Sequence, residues 1–154
     1  MRGATLTELA LGLSIIGVLA GIGIPRVAAL RDRLAVERQA GAILTAYQRA
    51  RLAAMTRGQL VRLSIASDRI AVQALQAGDS VLIWEADGPI ADGVELVSAP
   101  APAVFAPSGI TMGVANGRYL LQRGDIVRTL VASRLGRLRV SRPRRRRRSP
   151  PRGR

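Results

Sequence analysis

MRGATLTELALGLSIIGVLAGIGIPRV, residues 1–27, opens the chain and decides how the rest is read. The sixteen residues from Leu9 to Ile24 carry no charge, and one carboxylate, Glu8, stands directly in front of them. Sixteen apolar residues lie between the usual length of a signal-peptide core and that of a full membrane span. A secretory signal peptide needs a basic front end, yet only Arg2 is positive and Glu8 is out of place there. A plain membrane anchor leaves Glu8 without a role. A carboxylate near a bilayer core costs about 2.5–3.5 kcal/mol on insertion scales, so a residue that costly is usually paired. A cut between Gly3 and Ala4 would supply the partner, because it creates an α-amine four residues before Glu8.

Outward from this stretch, residues 27–57 contain no proline and a single glycine, Gly41. Val36, Ala40, Ile43, Tyr47, Ala50 and Ala54 recur every three or four residues, which predicts an amphipathic helix with one apolar face. Nothing between 25 and 30 reads as a linker, so the helix is expected to continue the apolar segment as one rod of about 50 residues. Arg38, Arg49 and Arg51 are expected on its solvated face. Gly58 ends it, and the period changes to two. Strands are expected over 60–65, 69–75 and 80–86, with a hairpin turn at Ala66-Ser67-Asp68. A Pro/Ala-rich loop is expected over 99–107, with a short strand before it near Val94–Val97. Ile110 to Ala115, Asn116-Gly117 and Arg118 to Gln122 read as a tight hairpin. Strands over 126–132 and 137–140 follow. The fold class is therefore α+β: one long N-terminal helix, then a mostly antiparallel sheet domain. With aromatics at 3%, its core is expected to be aliphatic and small.

The chain has 154 residues, no Cys and no His, and its 24 cationic side chains are all arginine. Disulfides, His-based metal sites and His-based acid–base catalysis are excluded. The ten acids are scattered, and no nucleophile elbow, phosphate loop or useful acid pair occurs, so no enzyme, cofactor or metal site is expected. Arg123-Gly124-Asp125 matches an adhesion tripeptide, but Gly-Asp is ordinary turn chemistry. Net charge is +14 and uneven: residues 58–100 hold two Arg and six acids, whereas 142–154 hold eight Arg and none. The basic end points to an anionic partner.

Gly3-Ala4-Thr5-Leu6-Thr7-Glu8-Leu9, followed by the apolar run and Pro25, resembles the class III signal of type IV pilins and pseudopilins. The resemblance implies cleavage after Gly3 by a prepilin peptidase and methylation of the new Ala4 amine. It implies that Glu8 meets the amine of a neighbouring subunit during assembly, and that Pro25 kinks the helix by removing one hydrogen bond. Ala4 replaces the usual Phe, and Thr7 an aliphatic residue. Downstream, the stretch Ala50 to Val61, Phe105 with Gly109, and Arg128 to Val140 resemble the GspH/FimT group of minor pilins and pseudopilins.

That group implies one of two settings: the type II secretion pseudopilus or the type IV pilus. Some members bind DNA during natural transformation through a C-terminal Gly-Arg-x-Arg motif, which Gly136-Arg137-Leu138-Arg139 matches. In a strand, Arg137 and Arg139 project together while Leu138 and Val140 face the core. Such a pair bridges successive phosphates without reading sequence. Equally, Arg-x-Arg is ordinary sheet alternation. Arg134, Arg128 and Arg118 would extend the patch if their strands are neighbours.

The expected organisation is a leader at 1–3, a transmembrane and assembly helix at 4–57, a periplasmic β domain at 58–141 and a disordered Arg-rich tail at 142–154. The expected partners are other pilin subunits, prepilin peptidase, the bacterial inner membrane crossed once, and DNA or another polyanion at the basic end.

Overall fold

In the computed structural model, residues 5–76, 79–112, 117–133, 135–141 and 144–145 are described, with backbone alone at 19–20, 22–25 and 144–145. A single helix, α1 (Leu6–Arg57), spans 52 residues and runs through position 25 without a break. At 1.5 Å per residue it is about 78 Å long. It starts on Thr5 and ends at Gly58, whose φ of 63° is the left-handed conformation a helix stop favours.

The two halves of α1 live in different environments. Leu6, Leu9, Leu11, Leu13, Ile15, Ile16 and Val18 are all more than half exposed. From Ala35 onward one stripe is buried: Val36, Ala40, Ile43, Ala46, Tyr47, Ala50 and Ala54. All six positions that the periodicity predicts lie on it.

Two sheets pack on that stripe, and every strand pairing is antiparallel. The first contains β1 (Leu60–Ile65), β2 (Arg69–Gln76), β3 (Asp79–Asp87), β5 (Ala103–Phe105) and β6 (Thr111–Met112), in the order β3-β2-β1-β5-β6. The second contains β4 (Glu95–Ser98), β7 (Arg118–Arg123), β8 (Ile126–Ala132), β9 (Leu138–Val140) and β10 (Arg144–Arg145). Its order is β10-β8-β7-β4, with β9 also on β8. A 3-10 turn, Pro89–Asp92, leads into β4.

Several expectations are corrected. The expected hairpin of Ile110–Ala115 with Arg118–Gln122 is not seen among the described residues: β6 pairs with β5 and β7 with β4 and β8, in different sheets, while 113–116 lie outside the described residues. The loop expected over 99–107 contains β5, because Pro102 and Pro107 flank Ala103–Phe105 rather than interrupt it. The core is not purely aliphatic. Tyr47 meets Phe105 and Tyr119 edge-on at 5.7 and 6.1 Å, so three of the chain's four aromatics share its centre. Within the tail expected to be disordered, Arg144 and Arg145 pair with Val127 and Ile126. The rest of 142–154 lies outside the described residues.

Candidate functional site

The first site is the helix start. Thr5 Oγ1 accepts from the Glu8 backbone N–H at 3.3 Å, and Glu8 Oε2 accepts from the Thr5 N–H at 2.9 Å. This reciprocal pair is a capping box. Thr5-Leu6-Thr7-Glu8 carries its signature, a hydroxyl residue followed three positions later by an acid. Glu8 therefore has a local role that its charge alone does not reveal. Gly3 and Ala4 lie outside the described residues, as does the side chain of Pro25.

Among the described residues of the apolar half of α1 that follows Glu8, none belongs to the core. Among the described residues, no helix is long and apolar enough to cross a membrane. The uncharged run continues over 19–20 and 22–24, whose side chains are not described.

Where α1 enters the domain, polar contacts fix it. Asp92 accepts from Gln39 Nε2 at 2.9 Å and pairs with Arg38 at 3.3 Å. Arg123 Nε donates to Asp32 at 2.8 Å, and its Nη1 donates to the Asp92 carbonyl. Arg128 pairs with Glu37. Arg123 is thus occupied, which removes the adhesion reading of its triplet. Arg128 is neutralised and does not extend a basic patch.

The second site is the C-terminal edge. Gly136, with φ of 68°, forms a tight turn in which Gly136 N–H donates to the Ser133 carbonyl and Ser133 N–H to that of Arg137. A Cβ at Gly136 would stand 3.1 Å from the Phe105 ring and 3.3 Å from the Gly109 carbonyl. Gly136 is therefore fitted to the core as well as to the turn. Beyond it, the register pairs Ala132 with Leu138, Val131 with Arg139 and Leu130 with Val140. Leu138 packs on the core, whereas Arg137 and Arg139 are exposed. Val140, expected to face the core, is exposed at the end of the strand.

Two further arginines join them. Arg118 pairs with Val131, which pairs with Arg139, so Arg118 and Arg139 flank Val131 on the outer face, about 10 Å apart. On the other side, a groove of about 250 Å³ runs between β9 and α1. Arg51 lines it together with Arg137 and Arg139, over a floor that includes Leu44 and Tyr47. Helical position alone would put Arg51 on a solvated face, but it is half-buried and shares the groove with β9. Among the described residues no ion pair engages Arg51, Arg118, Arg137 or Arg139, and Asp32, Glu37, Glu85 and Asp92 pair with other arginines. Arg134 lies outside the described residues. No cluster of three or more acids is placed to hold a metal among the described residues.

The chain is 30% identical to the pilin-like protein PilA1 of Thermus thermophilus, over 90% of this chain and 97% of that protein. This chain belongs to the type IV pilin-like family. Solved structures agree at the level of fold. The type IV minor pilin FimU of Pseudomonas aeruginosa superposes with a TM-score of 0.60 at 17% identity, covering 73% of this pilin-like chain and 92% of FimU. A second crystal form of FimU gives 0.54 at 16% identity, over 69% and 92%. No family model matches the chain.

Proposed function

We propose that this pilin-like chain is a minor structural subunit of a type IV pilus or of a type II secretion pseudopilus. The observation that carries this is the division of α1. One continuous helix has its second half in the core and its first half exposed as bare Leu, Ile and Val. An apolar surface of that size is not stable in water and marks an interaction site. A bilayer covers it before assembly, and neighbouring helices cover it afterwards. In this reading the inner membrane holds the segment from Leu9 to Ile24, and the β domain faces the periplasm or the filament surface. Cleavage after Gly3 frees the Ala4 amine, and Glu8 leaves its capping box to pair with that of a neighbour. The protein is a building block and not an enzyme.

Glu8→Ala tests the pairing directly. The variant is expected to be processed and membrane-bound but absent from sheared filaments, as read by immunoblot. Normal incorporation would sink the role given to Glu8.

A second reading is supported by the groove. Arg51, Arg137 and Arg139 come from two distant parts of the chain, line one groove, and have no ion pair among the described residues. They suit a run of phosphates, as on DNA taken up through a pilus. The test is a salt titration of DNA binding by the full chain in detergent, beside a version ending at Ser141. Arg137→Ala/Arg139→Ala in the short form should lower the salt slope by up to about 0.9 for each duplex phosphate no longer neutralised. Equal slopes in both short forms would assign any binding to polyarginine electrostatics.

A further inference from the structure

We propose that copies of this protein dock end on: an apolar cap bordered by arginine, at the end of the domain where α1 stops, seats on an acidic rim around Ile90 at the opposite end of the next copy. The filament reading supplies the setting, while the contact itself rests on the apolar groups and charges that the fold gathers at its two ends.

The strand register fixes which residues share an end. The Gly124-Asp125 turn joins β7 to β8 near the start of the buried stripe, where a Cβ at Gly124 would stand 2.7 Å from Asp32. The 3-10 turn lies at the same end, since Asp92 bonds Gln39. It holds the β1–β2 turn beside it: Gly88 N–H donates to the Asp68 carbonyl, and Ile90 N–H to that of Ser67. On this rim Ile90 is 64% exposed. Asp68, Asp87, Glu95 and Asp125 are exposed too, and none has an ion pair among the described residues. The arginines near them, Arg38, Arg69, Arg123 and Arg128, are each paired with an acid. Arg31 and Arg33 stand on α1 ahead of Ala35, where the stripe begins.

The other end is built from the last turns of α1 and the loops that follow β5 and β8. Gly109, with φ of 77°, closes on the helix: a Cβ there would meet Met55 Sδ at 2.8 Å and Arg51 Nε at 3.1 Å. The Gly109 carbonyl in turn borders Gly136. Met55, Ile110 and Leu135 therefore surround one spot, and each is about half exposed or more. Apolar groups gathered in one place and rimmed by charge mark an interaction surface. Arg51 and Arg137 border this one, and Arg57, Arg118 and Arg139 lie at the same end. Among the described residues none of the five has an ion pair, and Asp79 is the one unpaired acid there.

The two ends are complementary. Each has exposed apolar groups beside unpaired charge, and the charges have opposite sign. A symmetric contact through either end would set like charges together, whereas the unlike contact sets Asp against Arg. The occupant of the cap is therefore a second copy, which uses its other end. Such a head-to-tail contact propagates instead of closing into a dimer.

The chain has no native cysteine, so thiol crosslinking reads the contact without background. Two differently tagged full-length copies, one Ile90→Cys and one Leu135→Cys, are treated together in detergent with a short bismaleimide. A mixed product is expected to exceed either self-coupled one. It should weaken when the first copy also carries the isosteric Asp68→Asn and Asp87→Asn. It should be lost with Asp68→Arg and Asp87→Arg, and return when the second copy also carries Arg137→Glu and Arg139→Glu. A first copy that had lost its fold would not be rescued by charges on the second. Leu82→Cys, an exposed position within β3, should couple poorly to Leu135→Cys. Dominant self-coupling would assign a symmetric dimer, and absence of the mixed product would assign the cap to a partner other than a copy. Either result would overturn the proposal, as would equal coupling from Leu82→Cys or no effect of the Asp→Asn pair. None of these outcomes bears on Glu8, so the end-on contact and the filament reading fail separately.

Discussion

Gly136 sits where a backbone requirement and a packing requirement coincide. Its φ of 68° costs an L-residue about 1–2 kcal/mol, and an added Cβ would press on the Phe105 ring. Gly136→Ala is therefore expected to destabilise the protein by roughly 1–3 kcal/mol, seen as a lower urea midpoint at unchanged slope. A second residue-scale feature is the buried hydroxyl pair of Tyr47 and Tyr119, 3.2 Å apart. Burial pushes both phenols above their ordinary value, and in Tyr119 the neighbouring Tyr47 adds to the rise. The unfolded phenols ionise near pH 10, while the folded pair stays protonated. Folding then binds more protons, so the contribution is full below about pH 10 and is lost as pH rises beyond it. These are the only tyrosines in the chain, so phenolate absorbance reports the pair alone. The folded protein should show delayed ionisation and a urea midpoint that falls above that pH. Tyr47→Phe/Tyr119→Phe should flatten the fall.

At the scale of elements, the joint between α1 and the second sheet is polar where the rest is apolar. Asp92, from the 3-10 turn, meets both Arg38 and the buried Gln39. Arg38 is mostly exposed, so its ion pair adds little. Gln39 matters more, because removing Asp92 leaves its amide buried and unpaired. Asp92→Ala is expected to cost about 1–3 kcal/mol, against under about 1 kcal/mol for Arg38→Ala, both from urea unfolding. The elements were legible to different degrees. The buried stripe of α1, the stop at Gly58, β1, β2 and the turn between them follow from periodicity and from one glycine. β5 and the partners of β6 and β7 do not, because strands of two or three residues carry too little pattern to show which sheet they join.

For the whole molecule, the exposed and buried halves of α1 should be separable by mutation. Leu13 is 69% exposed and contacts no core residue. Leu13→Arg should leave the unfolding free energy of the β domain within about 0.5 kcal/mol of wild type. A charge at that depth costs about 2.5–3.5 kcal/mol on insertion scales, so the variant should be depleted from membranes and filaments. Fractionation beside a urea titration tests both expectations. A large loss of domain stability would mean that the apolar half folds back on the domain.

The sequence by itself determined the long helix, its apolar first half, the change to β structure at Gly58, and the Gly136-Arg137-Leu138-Arg139 turn and strand. These depend on residue periodicity, chain-stiffening rules and local charge, which act over a few neighbours. Only the tertiary structure decided which charges are free. Arg123 and Arg128 resemble the other arginines in sequence, yet Asp32 and Glu37, each 91 residues away along the chain, engage them. Arg51 is set beside Arg137 and Arg139 by the packing of β9 on α1, a contact that no local pattern encodes. Coulomb interactions depend on distance in space, and the fold alone sets that distance.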